Sequence, residues 1–108
     1  MTNRWDDIDD RCCQLASRLT EEFDKTPLQA TDRQVLCLAE EVGELVGAYR
    51  RATGRARRSG SWRDVEDELA DVVITALVTA HTMGWDLSAI VERKLQHVET
   101  RGLRESPS

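Results

Sequence analysis

Apolar residues recur at intervals of three and four along most of this chain, the spacing that lines one face of an α-helix. Trp5, Ile8, Cys12, Leu15, Leu19 and Phe23 mark a first helix over about residues 3–24. Thr26-Pro27 stops it, because a residue before proline is pushed out of the α region. Val35, Leu38, Val42, Leu45 and Tyr49 form the core stripe of a second helix. Thr31-Asp32-Arg33-Gln34 opens that helix with the form of a capping box, and Gly54, just past Thr53, supplies a left-handed stop. Ser61-Trp62-Arg63-Asp64 caps a third helix that runs to Met83 and ends at Gly84. A fourth begins near Asp86 or Ser88, carries Leu87, Val91, Leu95 and Val98, and stops at Gly102. Residues 54–60 read as a mobile basic loop and residues 103–108 as a frayed tail. The pattern predicts an all-α, four-helix bundle-like fold: a single domain over residues 1–108, with its core at about 3–102.

The third helix changes this picture. Between Leu69 and Ala80 its only polar side chains are Asp71, Thr75 and Thr79. A helix apolar nearly all round is normally buried on every side, which four short helices cannot achieve alone. Completion by homo-oligomerisation, as a homodimer or homotetramer, is therefore expected.

Composition narrows the class. A chain of 108 residues has room for one domain, and 40% hydrophobic with 32% charged residues does not describe a disordered tail. Few aromatics argue against a β-rich core, and neither of the two prolines interrupts a long segment. The formal charge of −5 argues against a general nucleic-acid binder, although 13 of the 15 basic residues are arginine and several cluster in the loop. Cys12 and Cys13 are adjacent and Cys37 stands alone, so no disulfide framework is present and a reducing cytoplasm is expected. The N-terminus has no apolar signal region, and the run from Leu69 to Met83 is too short to span a bilayer.

Candidate chemistry lies in the acids. Glu41 and Glu44 are three apart on the second helix, and Glu68 and Asp71 are three apart on the third, so each pair shares a face. Such spacing is common here, as in Asp6/Asp9, Asp7/Asp10, Glu21/Asp24 and Asp64/Asp67. The surroundings set the two pairs apart. Glu40, Glu41 and Glu44 form a stripe without interleaved lysine or arginine, and Asp71 is followed at once by Val72-Val73-Ile74. An ionised carboxylate in such surroundings needs a partner. A bound cation provides one, and an all-oxygen donor set selects magnesium or manganese. The simpler alternative is a solvated acidic face with one satisfied core aspartate. His81 and His97 sit in no di-iron motif, and the cysteines have no zinc-ligand spacing.

Glu40-Glu41-Val42-Gly43-Glu44 with Glu68-Leu69-Ala70-Asp71 resembles the E-E-x-x-E…E-x-x-D signature of MazG-like nucleotide pyrophosphohydrolases, members of the all-α NTP pyrophosphatase superfamily. The resemblance extends upstream to Thr26-Pro27-Leu28 and downstream to Trp85-Asp86-Leu87, Lys94 and Arg101. It implies a MazG-type fold and magnesium-dependent hydrolysis of a nucleoside triphosphate to the monophosphate and pyrophosphate, a nucleotide-pool housekeeping role. By motif position it implies Glu41, Glu44, Glu68 and Asp71 as metal ligands, with Glu40 either beside them or as the base that orients water. Four carboxylates suggest more than one ion. Lys94 and Arg101, on one face with His97, are implied phosphate contacts. Val98 departs from the asparagine that many relatives carry. Activity on dUTP, dCTP or phosphoribosyl-ATP lies within the same superfamily. The rival of another class is a non-catalytic helical module whose acids form a docking face.

Other residues are read more plainly. Tyr49 and Trp62 are the aromatic candidates for stacking a base, though core or interface is the commoner role for such residues. Arg50, Arg51, Arg55, Arg57, Arg58 and Arg63 frame the loop, as a substrate lid or simply as solvated charge. Trp5 reads as core, Trp85 as a cap on its turn, His81 as a structural histidine and the cysteines as packing residues. Gly43 and Gly47, both mid-helix, suggest close helix approach beside the acids.

Overall fold

The computed structural model describes residues 3–102, so the tail expected at 103–108 lies outside the described residues. Four helices follow in order: α1 Arg4–Phe23, α2 Pro27–Ala52, α3 Trp62–Met83 and α4 Leu87–Arg101. Local chemistry sets most of their ends. Asn3 caps α1 by accepting from the Asp6 N–H at 2.8 Å. Ser61 and Asp64 exchange side-chain and backbone hydrogen bonds at 3.2 and 3.1 Å, the reciprocal capping box of α3. Gly54 and Gly84, at φ +74° and +76°, take the left-handed conformation that stops α2 and α3.

The start of α2 differs from the expectation. Thr26 is its cap, accepting from the Gln29 N–H at 3.1 Å, with Pro27 in the first turn. Proline lacks only a donor that the first turn would leave unpaired anyway, so one dipeptide both ends α1 and opens α2. Thr31 instead bonds back to the Leu28 carbonyl inside the helix. The joint between α1 and α2 is clasped by Arg33, whose Nε and Nη2 donate to Asp24 at 3.1 and 2.7 Å.

α3 is the hub. It packs most extensively on α2, then on α1, and only lightly on α4. Cys12, Ala16 and Val78 are the buried centre of the α1–α3 contact, with Ile8, Leu15, Leu19 and Leu77 packed around them. His81 Nε2 lies 2.9 Å from Asp9 Oδ1 across the same contact, a satisfied structural histidine as expected. Cys12 is a packing residue, whereas Cys13 is exposed.

The seam between α2 and α3 keeps Leu38 and Leu45 of the predicted stripe but is rotated away from Val35, Val42 and Tyr49. On α2 the covered row is Ala30, Gln34, Leu38, Glu41, Leu45 and Ala48, while Val35 and Val42 remain exposed. On α3 the covered row begins Val65, Glu68, Val72 and Thr75. Hydrophobic periodicity assigns apolar residues to the inside; here two glutamates occupy inward positions and displace it.

Much apolar surface stays uncovered. Val46 on α2, Leu69, Val73 and Ile74 on α3, and Val91 and Leu95 on α4 are all exposed, and among the described residues no large side chain is fully buried. Trp5 is 63% exposed at the rim of an apolar groove of about 520 Å³ between α1 and α3, rather than in a core. The radius of gyration is 16.4 Å, against about 13 Å for a compact chain of this length.

Candidate metal centre

Two consecutive helical rows bring the acids together. Glu41 and Glu44 are one turn apart on α2, and Glu68 faces them from α3. Each of the three offers a carboxylate oxygen, and these oxygens lie within 4.8 Å of one another. Glu41 and Glu68 are half-buried and Glu44 is exposed. Oε2 of Glu41 and Oε2 of Glu68 are shielded from solvent and accept no hydrogen bond. Shielded carboxylate oxygens without a donor are costly, which is why such groups are almost always paired. An oxygen-only donor set of this kind fits a hard divalent cation.

Electrostatics tell the same story. Desolvation at the seam pushes the Glu41 carboxyl above the ordinary 4.5, and the charges of Glu44, Asp71 and Glu68 push it further. The Glu68 carboxyl is raised first by desolvation and then by Glu44 and Asp71, with Arg51 drawing it back down. The cluster is a concentration of negative charge that the protein itself only partly offsets.

Asp71 requires a correction. Val72-Val73-Ile74 predicts a buried aspartate, yet Asp71 is exposed, because Val73 and Ile74 are themselves uncovered in the single chain. Its charge bears on Glu41 and Glu68, but its oxygens fall outside the tight trio. The shielded acids are Glu41 and Glu68. Glu40 is exposed.

Tyr49 and Trp62 are brought together, with ring centroids 5.9 Å apart in an edge-on arrangement, and both are about half exposed. The Arg55 guanidinium lies 5.2 Å from the Tyr49 ring centroid. The two ends of the basic loop are hydrogen-bonded to the end of α2. Arg55 N–H donates to the Arg50 carbonyl at 2.8 Å, Arg55 Nε donates to Thr53 Oγ1 at 3.0 Å, and Gly60 N–H reaches the Arg51 carbonyl at 3.3 Å. Gly43 has open space where a side chain would stand, and Gly47 meets only Arg51, so neither marks a close approach of α3. Lys94 is exposed on α4, and Arg101 has a shielded Nε without a partner. Neither forms an ion pair with the trio among the described residues.

Compared with known families, residues 29–102 match the model of the MazG nucleotide pyrophosphohydrolase domain. The match contains α3, α4, nearly all of α2 and every acid of the site, and leaves α1 outside it. No curated protein and no solved structure gave a match.

Proposed function

This chain belongs to the MazG nucleotide pyrophosphohydrolase domain family, and from that premise we propose that it is a magnesium-dependent enzyme cleaving nucleoside triphosphates to monophosphate and pyrophosphate. The observation that carries this reading is the pair of shielded, unpartnered oxygens on Glu41 and Glu68, with Glu44 beside them. Glu41, Glu44 and Glu68 hold the metal, and Asp71 joins them from one turn further along α3. Magnesium, or manganese in its place, supplies charge neutralisation for the phosphates and a more acidic bound water.

The protein's own groups do the rest. Glu40, exposed beside the trio, either orients the attacking water or hydrogen-bonds a ligand carboxylate. Attack at the α-phosphorus releases pyrophosphate, so positioning and charge are the chief requirements. Lys94 and Arg101 supply counter-charge from α4, and the shielded Nε of Arg101 is a donor awaiting an acceptor. Tyr49 and Trp62 offer ring faces to a base. A homodimer or homotetramer covers the exposed rows of α2 and α3. No described helix is long and apolar enough to cross a membrane, and a reducing cytoplasm suits three cysteines kept as thiols.

The test is pyrophosphate release from a panel of canonical and modified ribo- and deoxyribonucleoside triphosphates with magnesium. Wild type releases pyrophosphate, and Glu41→Gln loses at least about 100-fold in kcat, the upper end of what even outer-shell partners of a metal cost. The panel ranks dUTP, dCTP and others against the general reading. Equal background from both proteins across the panel sinks the enzyme reading.

A further inference from the structure

Arg51 holds a position that none of these roles uses. It lies half-buried in the last turn of α2, and its Nη1 sits 3.4 Å from where a Cβ on Gly47 would stand. The guanidinium therefore lies back along the helix, over Gly47, and its charge is felt by Glu68. Its backbone is gripped as well. The Arg51 carbonyl accepts from the N–H groups of Gly54 and Gly60, and a Cβ on Gly60 would come within 2.9 Å of Arg51 Cβ. That pinch folds the loop back on the end of α2.

The result is a second cavity, about 450 Å³, lined by Arg51, Arg58, Ser59, Asp64, Asp67 and Glu68. Glu68 belongs to the metal trio, so the cavity adjoins the site. Among the described residues the side chains of Arg51 and Arg58 make no ion pair and no hydrogen bond. Asp64 is occupied instead by the Ser61 N–H of the capping box. Two arginines thus line one cavity with their side-chain donors unused, although acids line the same walls. Guanidinium forks match phosphate oxygens bidentately. The acids on the walls repel a bare anion, so the lining suits a polyphosphate that carries divalent cations, and it does not suit a strand of nucleic acid.

We propose that Arg51 and Arg58 form a seat for the phosphate chain of the nucleotide beside the metal trio, with Arg51 as a substrate-positioning residue. The assignment rests on the triphosphate reading. Its test is calorimetric titration of inorganic pyrophosphate into the full chain with magnesium, paired with thermal melting with and without the ion. In Arg51→Gln and Arg58→Gln the pyrophosphate affinity falls by about 10-fold or more, the range for a lost charge-assisted hydrogen bond, while the magnesium-dependent rise in melting temperature persists. Arg51→Lys recovers only part of the loss, because an ammonium lacks the fork. Unchanged pyrophosphate affinity in both glutamine variants, with the melting rise intact, overturns the arginine seat and leaves the metal reading standing. Absence of the magnesium rise in wild type itself overturns both.

Discussion

Glu68 and Asp24 titrate in opposite senses for reasons visible in their surroundings. Asp24 accepts from Arg33, which holds its carboxyl below the ordinary 3.8. Stability from that clasp is present above 3.8 and is lost as pH falls through the lowered value. Glu41 and Glu68 are raised above 4.5 instead. Their folded forms hold a proton more tightly than the unfolded chain, so metal-free stability declines as pH rises from 4.5 through the raised values. Glu68→Gln therefore melts higher than wild type at neutral pH in chelator, flattens that decline, and abolishes the rise that magnesium gives. Melting curves across pH with EDTA check this; a lower melting temperature for the variant at pH 7 contradicts it. The spacing of the acids made the trio legible in the sequence. Which of them are shielded was not legible, because apolar periodicity assigned Val35 and Val42 to the seam and gave Asp71 the burial that belongs to Glu41 and Glu68.

At the scale of elements, the sequence was most readable where a motif has a single physical meaning. Ser61-Trp62-Arg63-Asp64 allows one strong reading, and Gly54 and Gly84 supply the positive φ that their positions need. Ser61→Ala removes the cap from α3, the helix on which α1, α2 and α4 all pack, and costs about 1 kcal/mol in chemical denaturation with an unchanged m-value. A shift of the midpoint within error contradicts that role. Thr26-Pro27 was harder, since proline after a cap and proline after a helix look alike in sequence. The hydrogen bonds at the two ends of the basic loop go to backbone carbonyls of Arg50 and Arg51, which leave no mark in composition.

For the whole molecule, the expectation that four helices cannot enclose α3 agrees with the exposed Leu69, Val73 and Ile74 and with the open radius of gyration. If a second copy covers these faces, as proposed, association is linked to folding. The melting temperature then rises with protein concentration, and sedimentation gives a mass of two or four chains. Val46→Asp, on the exposed side of α2, lowers the mass toward a single chain. A single-chain mass for wild type with a concentration-independent melting temperature removes the oligomer from the account. α1 lies outside the family match yet supplies two of the three residues at the centre of the buried cluster, Cys12 and Ala16, of which the periodicity had marked Cys12 together with the surrounding Ile8, Leu15 and Leu19.

The glutamates in the α2–α3 seam also bear on how this protein responds to selection. A screen for thermostable variants run in chelator would reward neutral replacements at Glu41 and Glu68, because each relieves repulsion between the helices. The winners would be sturdier and inert. Run with magnesium present, the same screen would retain both acids, so the composition of the buffer would decide whether laboratory evolution preserves the chemistry or discards it.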